Sequence, residues 1–189
     1  MLLLILGVLL WSAAHLSKAA APGVRAGLIG RLGEGPYKGL FALTIVASLV
    51  LIVVGWRSTL PSALWHPPAA MRHVTMLLMP FAVILFVSAR APTDIKQFMR
   101  HPQLAGVKLW ALAHLLSNGE LRSVVLFGSL LAWAVLEVIF INRRDGAWVK
   151  PAPVGAAKTA VSAVIGLILT AVLVYAHPWL SGMPLLPRG

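Results

Sequence analysis

The sequence predicts an all-α integral membrane protein built as a six-transmembrane-helix bundle. The chain of 189 residues is 59% hydrophobic and only 11% charged, with a mean hydropathy of +0.88. Its apolar residues gather in six stretches that approach the length a bilayer requires. A soluble chain of this composition would have nowhere to place its apolar surface. Residues 1–189 are therefore expected to form a single transmembrane domain.

Each predicted helix is an apolar stretch bounded by polar or helix-breaking residues. A helix needs about 20 residues to cross roughly 30 Å of hydrocarbon, with about 17 as a practical minimum. The predicted segments are 2–17, 39–56, 73–88, 104–117, 124–141 and 159–175. The first and fourth are the shortest, and Lys18 and Lys108 must reach the interface or find a partner. Glycine and proline lie in the connections, which leaves no room for a separate soluble domain.

The first segment has an alternative interpretation as a cleaved signal peptide, because Ala19, Ala20 and Ala21 offer a site with small residues. A signal peptide carries its positive charge before the apolar core. Here Met1 leads directly into leucines, and the first cation is Lys18. The order of these residues favours a retained helix.

The positive charges predict the orientation. Eleven of the sixteen Lys and Arg residues lie in the connections after the first, third and fifth segments. Cytoplasmic loops are enriched in such residues, so these connections should be cytoplasmic and both termini should face outward. The cations occur singly or in pairs, which does not resemble a nucleic-acid footprint. Cysteine is absent, which excludes disulfides, thiolate metal sites and covalent haem attachment.

One short pattern occurs twice. Residues 10–16, LWSAAHL, align with residues 109–115, LWALAHL, and in each copy a Trp precedes a His by four residues. Trp11 with His15, and Trp110 with His114, should each share one helical face. The copies lie three segments apart, so their helices run in opposite directions. This arrangement is typical of an inverted repeat of two three-helix halves.

The paired histidines predict a metal centre. If the two halves are related by symmetry, His15 and His114 face each other within the membrane, and two imidazoles are suitable axial ligands for non-covalent haem b. Trp11 and Trp110 would then wall the cofactor pocket. The alternative is that each histidine only links neighbouring helices by a hydrogen bond. Depth is a difficulty for the haem hypothesis, because each histidine lies toward one end of its own segment.

The other histidines are predicted not to be ligands. His101 precedes Pro102 at the start of a helix, about 20 Å along the axis from His114. His66 and His73 lie in or beside the second connection, and His177 follows the sixth segment. All four are expected near the interfaces, with His73 the strongest exception.

Two ionisable residues lie within predicted helices. Lys108 and Glu137 belong to the fourth and fifth segments, and both should lie toward the cytoplasmic end. They are predicted to form a structural ion pair, with Lys108 and a haem propionate as the alternative. The glycines between residues 23 and 35 follow no strand and predict a flexible or re-entrant connection. No nucleophile and base pattern, paired carboxylates or H-E-x-x-H motif occurs.

Several long motifs resemble those of the NnrU family. They are residues 101–119, HPQLAGVKLWALAHLLSNG, and residues 126–133, LFGSLLAW, together with the early Trp11-x-x-x-His15 pattern and the late HPWL at 177–180. The resemblance extends over most of the chain and agrees in the order of segments. It implies a multi-pass protein of the bacterial cytoplasmic membrane, associated with denitrification and nitric-oxide metabolism.

The resemblance also implies a cofactor. Plant and cyanobacterial relatives of the family, the zeta-carotene isomerases, are similar in sequence and use haem b held by histidines whose positions fall on His15 and His114 here. These relatives carry a cysteine three residues before the second histidine, where this chain has Ala111. That difference bears directly on an isomerase mechanism, because the cysteine is implicated in ligand switching.

The expected function is therefore haem b binding, with a role in redox or nitrogen-oxide chemistry or in polyene isomerisation. Its expected partners are the bilayer, haem and a redox or denitrification protein, and not nucleic acid. The alternative is a cofactor-free small transporter, or an assembly or accessory factor for a membrane complex. Few polar groups besides Lys108, Glu137 and the histidines lie in the predicted segments, which disfavours a transport path.

Overall fold

The computed structural model describes residues 1–185, and this part of the chain is built from helices. Seven helices follow one another along the sequence: α1 Leu2–Ala20, α2 Pro22–Leu32, α3 Glu34–Ser58, α4 Ala70–Ser88, α5 Pro102–Ser117, α6 Leu121–Asp145 and α7 Ala156–Ser181. A short 3-10 turn, Asp94–Gln97, precedes α5. Within residues 1–185 extended pairing is limited to one bridge between Ala63 and Glu120. The all-α prediction is confirmed.

Five helices, α1, α3, α4, α6 and α7, are long and apolar enough to cross a membrane. The fourth predicted segment is also helical, but α5 has 16 residues. At about 1.5 Å per residue it extends roughly 24 Å, less than the hydrocarbon thickness of about 30 Å. Pro102 begins it and Asn118 ends it in an extended conformation. Five of the predicted segments are thus confirmed as helices long and apolar enough to cross a membrane, while the sixth crossing stays a prediction.

Helix α2 occupies the connection that the sequence predicts to be flexible or re-entrant; the flexible alternative is wrong, because this segment is helical, while a re-entrant course stays a prediction. Pro22 lies in the first turn, where its missing N–H leaves no hydrogen bond unmade. Gly33 ends the helix at a φ of +84°, a conformation that favours glycine. No residue of α2 is buried. The helix therefore lies outside the packed bundle, directly after the end of α1.

Glycines allow the main helix pairs to pack closely. Helix α1 packs on α3, α5 packs on α4, and α7 packs on α4. A Cβ atom at Gly55 would lie 2.2 Å from the backbone nitrogen of Leu4, and one at Gly106 would lie 2.5 Å from the carbonyl oxygen of Ala82. Small residues are the usual means by which membrane helices approach each other. In two inverted halves, α1 would pack on α7 as α4 packs on α5. Helix α7 instead packs on α4 and makes no comparable contact with α1. The division into two inverted halves therefore stays a prediction.

The core lies around α6, which packs against both α1 and α5. Its buried side chains include Phe127, Leu130 and Trp133. Residues Val124–Gly128 form a π-helical turn. Such a turn inserts an extra residue and rotates the later part of the helix about its axis, and it is frequent at functional sites. Phe127 lies within this turn, and Trp133 lies six residues further along α6.

Hydrogen bonds gather the connections at two ends of the bundle. We call one of them the basic end; it consists of residues 18–38, 89–101 and 143–158. There Arg144 donates a hydrogen bond to the carbonyl of Lys18 at 3.1 Å, and Arg100 donates one to the carbonyl of Gly146 at 2.7 Å. At the opposite end, the Trp56 indole donates to the carbonyl of Ser181 at 3.0 Å. The eleven cations predicted to share one side are all in the basic end.

Candidate functional site

His15 lies on α1 in a defined protonation geometry. Its Nδ1–H donates to the carbonyl oxygen of Trp11, one turn earlier, at 3.0 Å. A carbonyl oxygen can only accept a hydrogen bond, so the ring proton is on Nδ1. The lone pair of Nε2 is therefore free of a proton and suited to bind a metal.

His114 on α5 repeats this geometry. Its Nδ1–H donates to the carbonyl oxygen of Trp110 at 2.9 Å. Each tryptophan ring also lies beside its histidine, with ring centroids 4.3 Å apart for Trp11 and His15 and 5.2 Å apart for Trp110 and His114. The prediction that each Trp and His share one helical face is confirmed. Both copies of the pattern thus present the same tautomer.

Aromatic residues of α6 contact both histidines. The Trp133 ring lies 5.1 Å from the His15 ring, edge-on. The Phe127 ring stacks on the His114 ring at 4.6 Å. Sequence analysis did not single out Phe127 and Trp133 as site residues, because neither carries a metal-binding atom. Their presence in the motif at residues 126–133, which follows the motif that contains His114, was the available signal.

The two histidines lie at different levels of the bundle. Phe127 and Trp133 are six residues apart on α6, which is about 9 Å along a helix axis at 1.5 Å per residue. His114 is near the end of α5 and His15 near the end of α1, and these helices run in opposite directions. The structure brings both imidazoles against one helix, and their convergence on a single iron stays a prediction.

The free Nε2 atoms of His15 and His114 are suitable ligands for haem iron, but the rings of Trp133 and Phe127 lie against the two imidazoles. Cavities of about 390 and 200 Å³ are present, and neither histidine lines either one. Binding of a macrocycle at both imidazoles therefore requires the rings of Phe127 and Trp133 to move. Within residues 1–185 no three His, Asp or Glu side chains are grouped to hold a bare metal ion.

Buried polar atoms without partners surround His15. The indole nitrogens of Trp11 and Trp133 and the Oε2 atom of Glu137 are buried without a hydrogen bond. The two indole rings lie 5.6 Å apart, edge to face, and Glu137 is only 7% exposed. Buried polar groups are nearly always satisfied, so each exception calls for an explanation. Two N–H donors and one carboxyl group are available here to a polar group that enters the site.

The predicted ion pair between Lys108 and Glu137 does not form. The ion pairs among the described residues join Lys38 to Glu34, Arg122 to Glu120 and Arg144 to Asp145. Trp133, one turn before Glu137, packs on Trp11 and His15 of α1. Glu137 shares that face of α6 and is directed toward α1, whereas Lys108 lies on α5.

The remaining histidines make other contacts or face outward. His101 Nε2 is 2.8 Å from the side-chain oxygen of Asn142. His177 lies within α7 rather than after it, and its Nδ1–H donates to the carbonyl of Met183 at 2.8 Å. His66 and His73 are exposed. None of these four makes the hydrogen bond to the carbonyl four residues earlier that His15 and His114 make.

These features define the class of the protein first: an all-helical protein with five helices long and apolar enough to cross a membrane. The family model described as NnrU protein matches residues 3–185, and the chain belongs to the NnrU family. No curated protein gives a significant match to the chain, and no solved structure does.

Proposed function

We propose that this protein binds haem b through His15 and His114 and acts in redox or nitrogen-oxide chemistry. The observation that carries the proposal is the pair of Nδ1 hydrogen bonds, at 3.0 and 2.9 Å. These bonds leave the Nε2 lone pair of each ring free and directed away from its own helix. A histidine that serves only to link helices would use Nε2 or Nδ1 across to a neighbour. Both of these instead bond within their own helix.

The surrounding residues support the same ligand. Trp11, Trp110, Phe127 and Trp133 form an aromatic wall around the two imidazoles. Such rings pack well against a macrocycle, and an apolar surround sets the potential of a haem iron. The unpaired indole N–H groups of Trp11 and Trp133 would hold a polar group of the ligand. When bound, haem supplies a one-electron couple and a site for small diatomic ligands.

Polyene isomerisation is the weaker assignment for this chain. The position three residues before His114 is Ala111, which is fully buried at 0% exposure. An alanine methyl group cannot replace a thiolate as an iron ligand. Ligand switching of the kind implied for the isomerases therefore has no donor at this position. Redox or nitric-oxide chemistry needs only the two histidines.

The proposal includes six membrane crossings. The hydrogen bonds place the connections alternately at the two ends of the bundle, which supports α5 as the sixth crossing despite its 16 residues. With the basic end in the cytoplasm, both termini face outward. A bacterial cytoplasmic membrane is the location that fits this family.

The test is the haem content of the purified protein. We expect a haem b signal in a pyridine haemochrome spectrum after expression with ample haem, and loss of most of it in the His15→Ala, His114→Ala double variant. His66→Ala is the matched control, because His66 is exposed. Gel filtration confirms that each variant is folded. Haem-free wild-type protein, or full haem content in the folded double variant, would reject the proposal.

A further inference from the structure

A separate cavity opens at the basic end of the bundle. Its volume is about 390 Å³, and it lies between the end of α4, the start of α5 and the end of α6. One part of its lining is basic and another part is apolar. Its main lining residues are Lys96, Arg100, His101, Leu104, Ile141 and Trp148. Neither His15 nor His114 contributes to it, so a ligand of this cavity is independent of haem.

The two cations of this cavity have no carboxylate partner among residues 1–185. Lys96 donates to the carbonyl of Ala91 at 3.0 Å, and Arg100 donates to that of Gly146 at 2.7 Å. These bonds orient the side chains but leave their charge uncompensated. Asp145, whose carboxylate lies within electrostatic reach of Arg100, is paired with Arg144 at 2.7 Å.

The other acidic residues are occupied elsewhere. The chain contains only five. Glu34 and Glu120 pair with Lys38 and Arg122. Asp94 accepts hydrogen bonds from the backbone of Val154 and Gly155, and Glu137 is buried on α6. The protein itself therefore offers no further anion to this cavity, which leaves it complementary to an anionic ligand.

Apolar side chains beside the cavity place it at the membrane surface. Phe98 is 83% exposed and Val149 is 86% exposed. They adjoin the lining residues Met99 and Trp148 in sequence. Large apolar side chains this exposed are costly in water and favourable at the boundary of a bilayer, where tryptophan is also enriched. The cavity thus faces lipid headgroups rather than the aqueous phase alone.

We propose that this cavity binds the phosphate group of an anionic phospholipid. Lys96 and Arg100 contact the phosphate, and Leu104 and Ile141 on the apolar side contact the first part of an acyl chain. Basic pockets between transmembrane helices on the cytoplasmic side are typical sites for such headgroups. A soluble phosphate shares the chemistry of the headgroup, but it makes no use of the apolar lining or of Phe98 and Val149.

The test compares lipids by native mass spectrometry of the full-length protein in detergent. Phosphatidylglycerol is titrated against phosphatidylcholine, with wild-type protein and a Lys96→Gln, Arg100→Gln double variant. We expect wild type to retain phosphatidylglycerol in preference to phosphatidylcholine, and the double variant to bind it about thirtyfold more weakly, since each of the two cations near a headgroup contributes roughly 1 kcal/mol. The Arg25→Gln, Arg31→Gln variant is the matched control, because it removes the same charge from exposed α2.

Three results would overturn the proposal. The first is equal retention of the two lipids by wild-type protein. The second is equal loss of phosphatidylglycerol binding in the control and in the cavity variant, which would indicate a general effect of charge. The third is displacement of the lipid by millimolar inorganic phosphate, which would identify a soluble phosphate as the ligand. Each variant is first checked for an unchanged elution volume, so that loss of folding is recognised.

Discussion

At the scale of single residues, the candidate site depends on which ring nitrogen of each histidine carries the proton. A helix places each carbonyl four residues before a side chain that can turn back to it, and His15 and His114 both donate Nδ1–H in that way. The sequence repeat already contained the spacing. The repeat could not show that each histidine bonds within its own helix rather than to another helix. That outcome depends on which hydrogen-bonding groups the neighbouring helix places beside the ring.

Another single residue, Arg122, joins two helices at the end of the bundle opposite the basic end. Its Nε donates to Glu120 at 2.6 Å, and one Nη atom donates to the carbonyl of Thr59 at 3.1 Å. Its guanidinium lies over the Trp56 ring, 4.5 Å from the centroid. The side chain is only 11% exposed, so solvent compensates little for any bond that is lost. The start of α6 is thereby joined to the end of α3.

We expect Arg122→Lys to lower the stability by about 1–3 kcal/mol, because a lysine cannot make the forked hydrogen bonds and the stacking contact together. The measurement is the Tm of the protein in detergent. Arg31→Lys is the control, since Arg31 is exposed on α2. A Tm for Arg122→Lys equal to that of the control would show that the fork contributes nothing.

At the scale of helices, close packing is decided by which glycine lies at a crossing. Helix α3 contains glycines at positions 35, 39 and 55. A Cβ atom at Gly39 would meet nothing within 4 Å, while one at Gly55 would lie 2.2 Å from the backbone of Leu4. The three look alike in the sequence. Only the position of α1 distinguishes them.

We expect Gly55→Ala to lower the Tm, since α1 has to move away from α3 and the packing around Leu4 and Gly7 is lost. Gly39→Ala in the same helix should leave the Tm unchanged or slightly higher, because alanine favours helix by up to about 1 kcal/mol. Thermal unfolding of both variants in one detergent gives the comparison. Equal effects of the two substitutions would mean that the α1 and α3 contact is looser than described.

Helix ends, in contrast, depend less on neighbouring helices. Pro102 and the Asn118-Gly119 turn marked the ends of α5 in the sequence, because backbone chemistry fixes such ends locally. Helix α2 was missed, since its apolar residues are few and glycines interrupt them. The predicted ion pair between Lys108 and Glu137 is wrong because it depended on the rotation of α6 about its axis. It required α6 to face α5 at that level, whereas Trp133 and Glu137 face α1.

At the scale of the whole molecule, the uneven distribution of charge predicts how the protein lies in the membrane. The basic end contains eleven cations, and they are gathered there by the packing of three connections. Transferring that many charges across a bilayer is unfavourable, so the basic end should remain in the cytoplasm.

The absence of cysteine gives a clean way to test this orientation. We expect Ala69→Cys, before α4, to react with a membrane-impermeant maleimide in intact cells. Ala26→Cys, on α2, should react only after the cells are permeabilised, because it lies at the basic end. Both alanines are exposed, so accessibility within the protein does not differ. Labelling of Ala26→Cys alone in intact cells would reverse the proposed orientation.

The sequence by itself determined the all-helical class, the five helices long and apolar enough to cross a membrane, and the two matched Trp and His pairs. These features depend on composition and on spacing along one helix, both of which are local. The tertiary structure alone decided that Phe127 and Trp133 pack on the two histidines, that Glu137 turns toward α1, and that Lys96 and Arg100 line one cavity. Such contacts join residues far apart in the chain, and they depend on the rotation of each helix about its axis, which apolar segments in lipid specify only through packing.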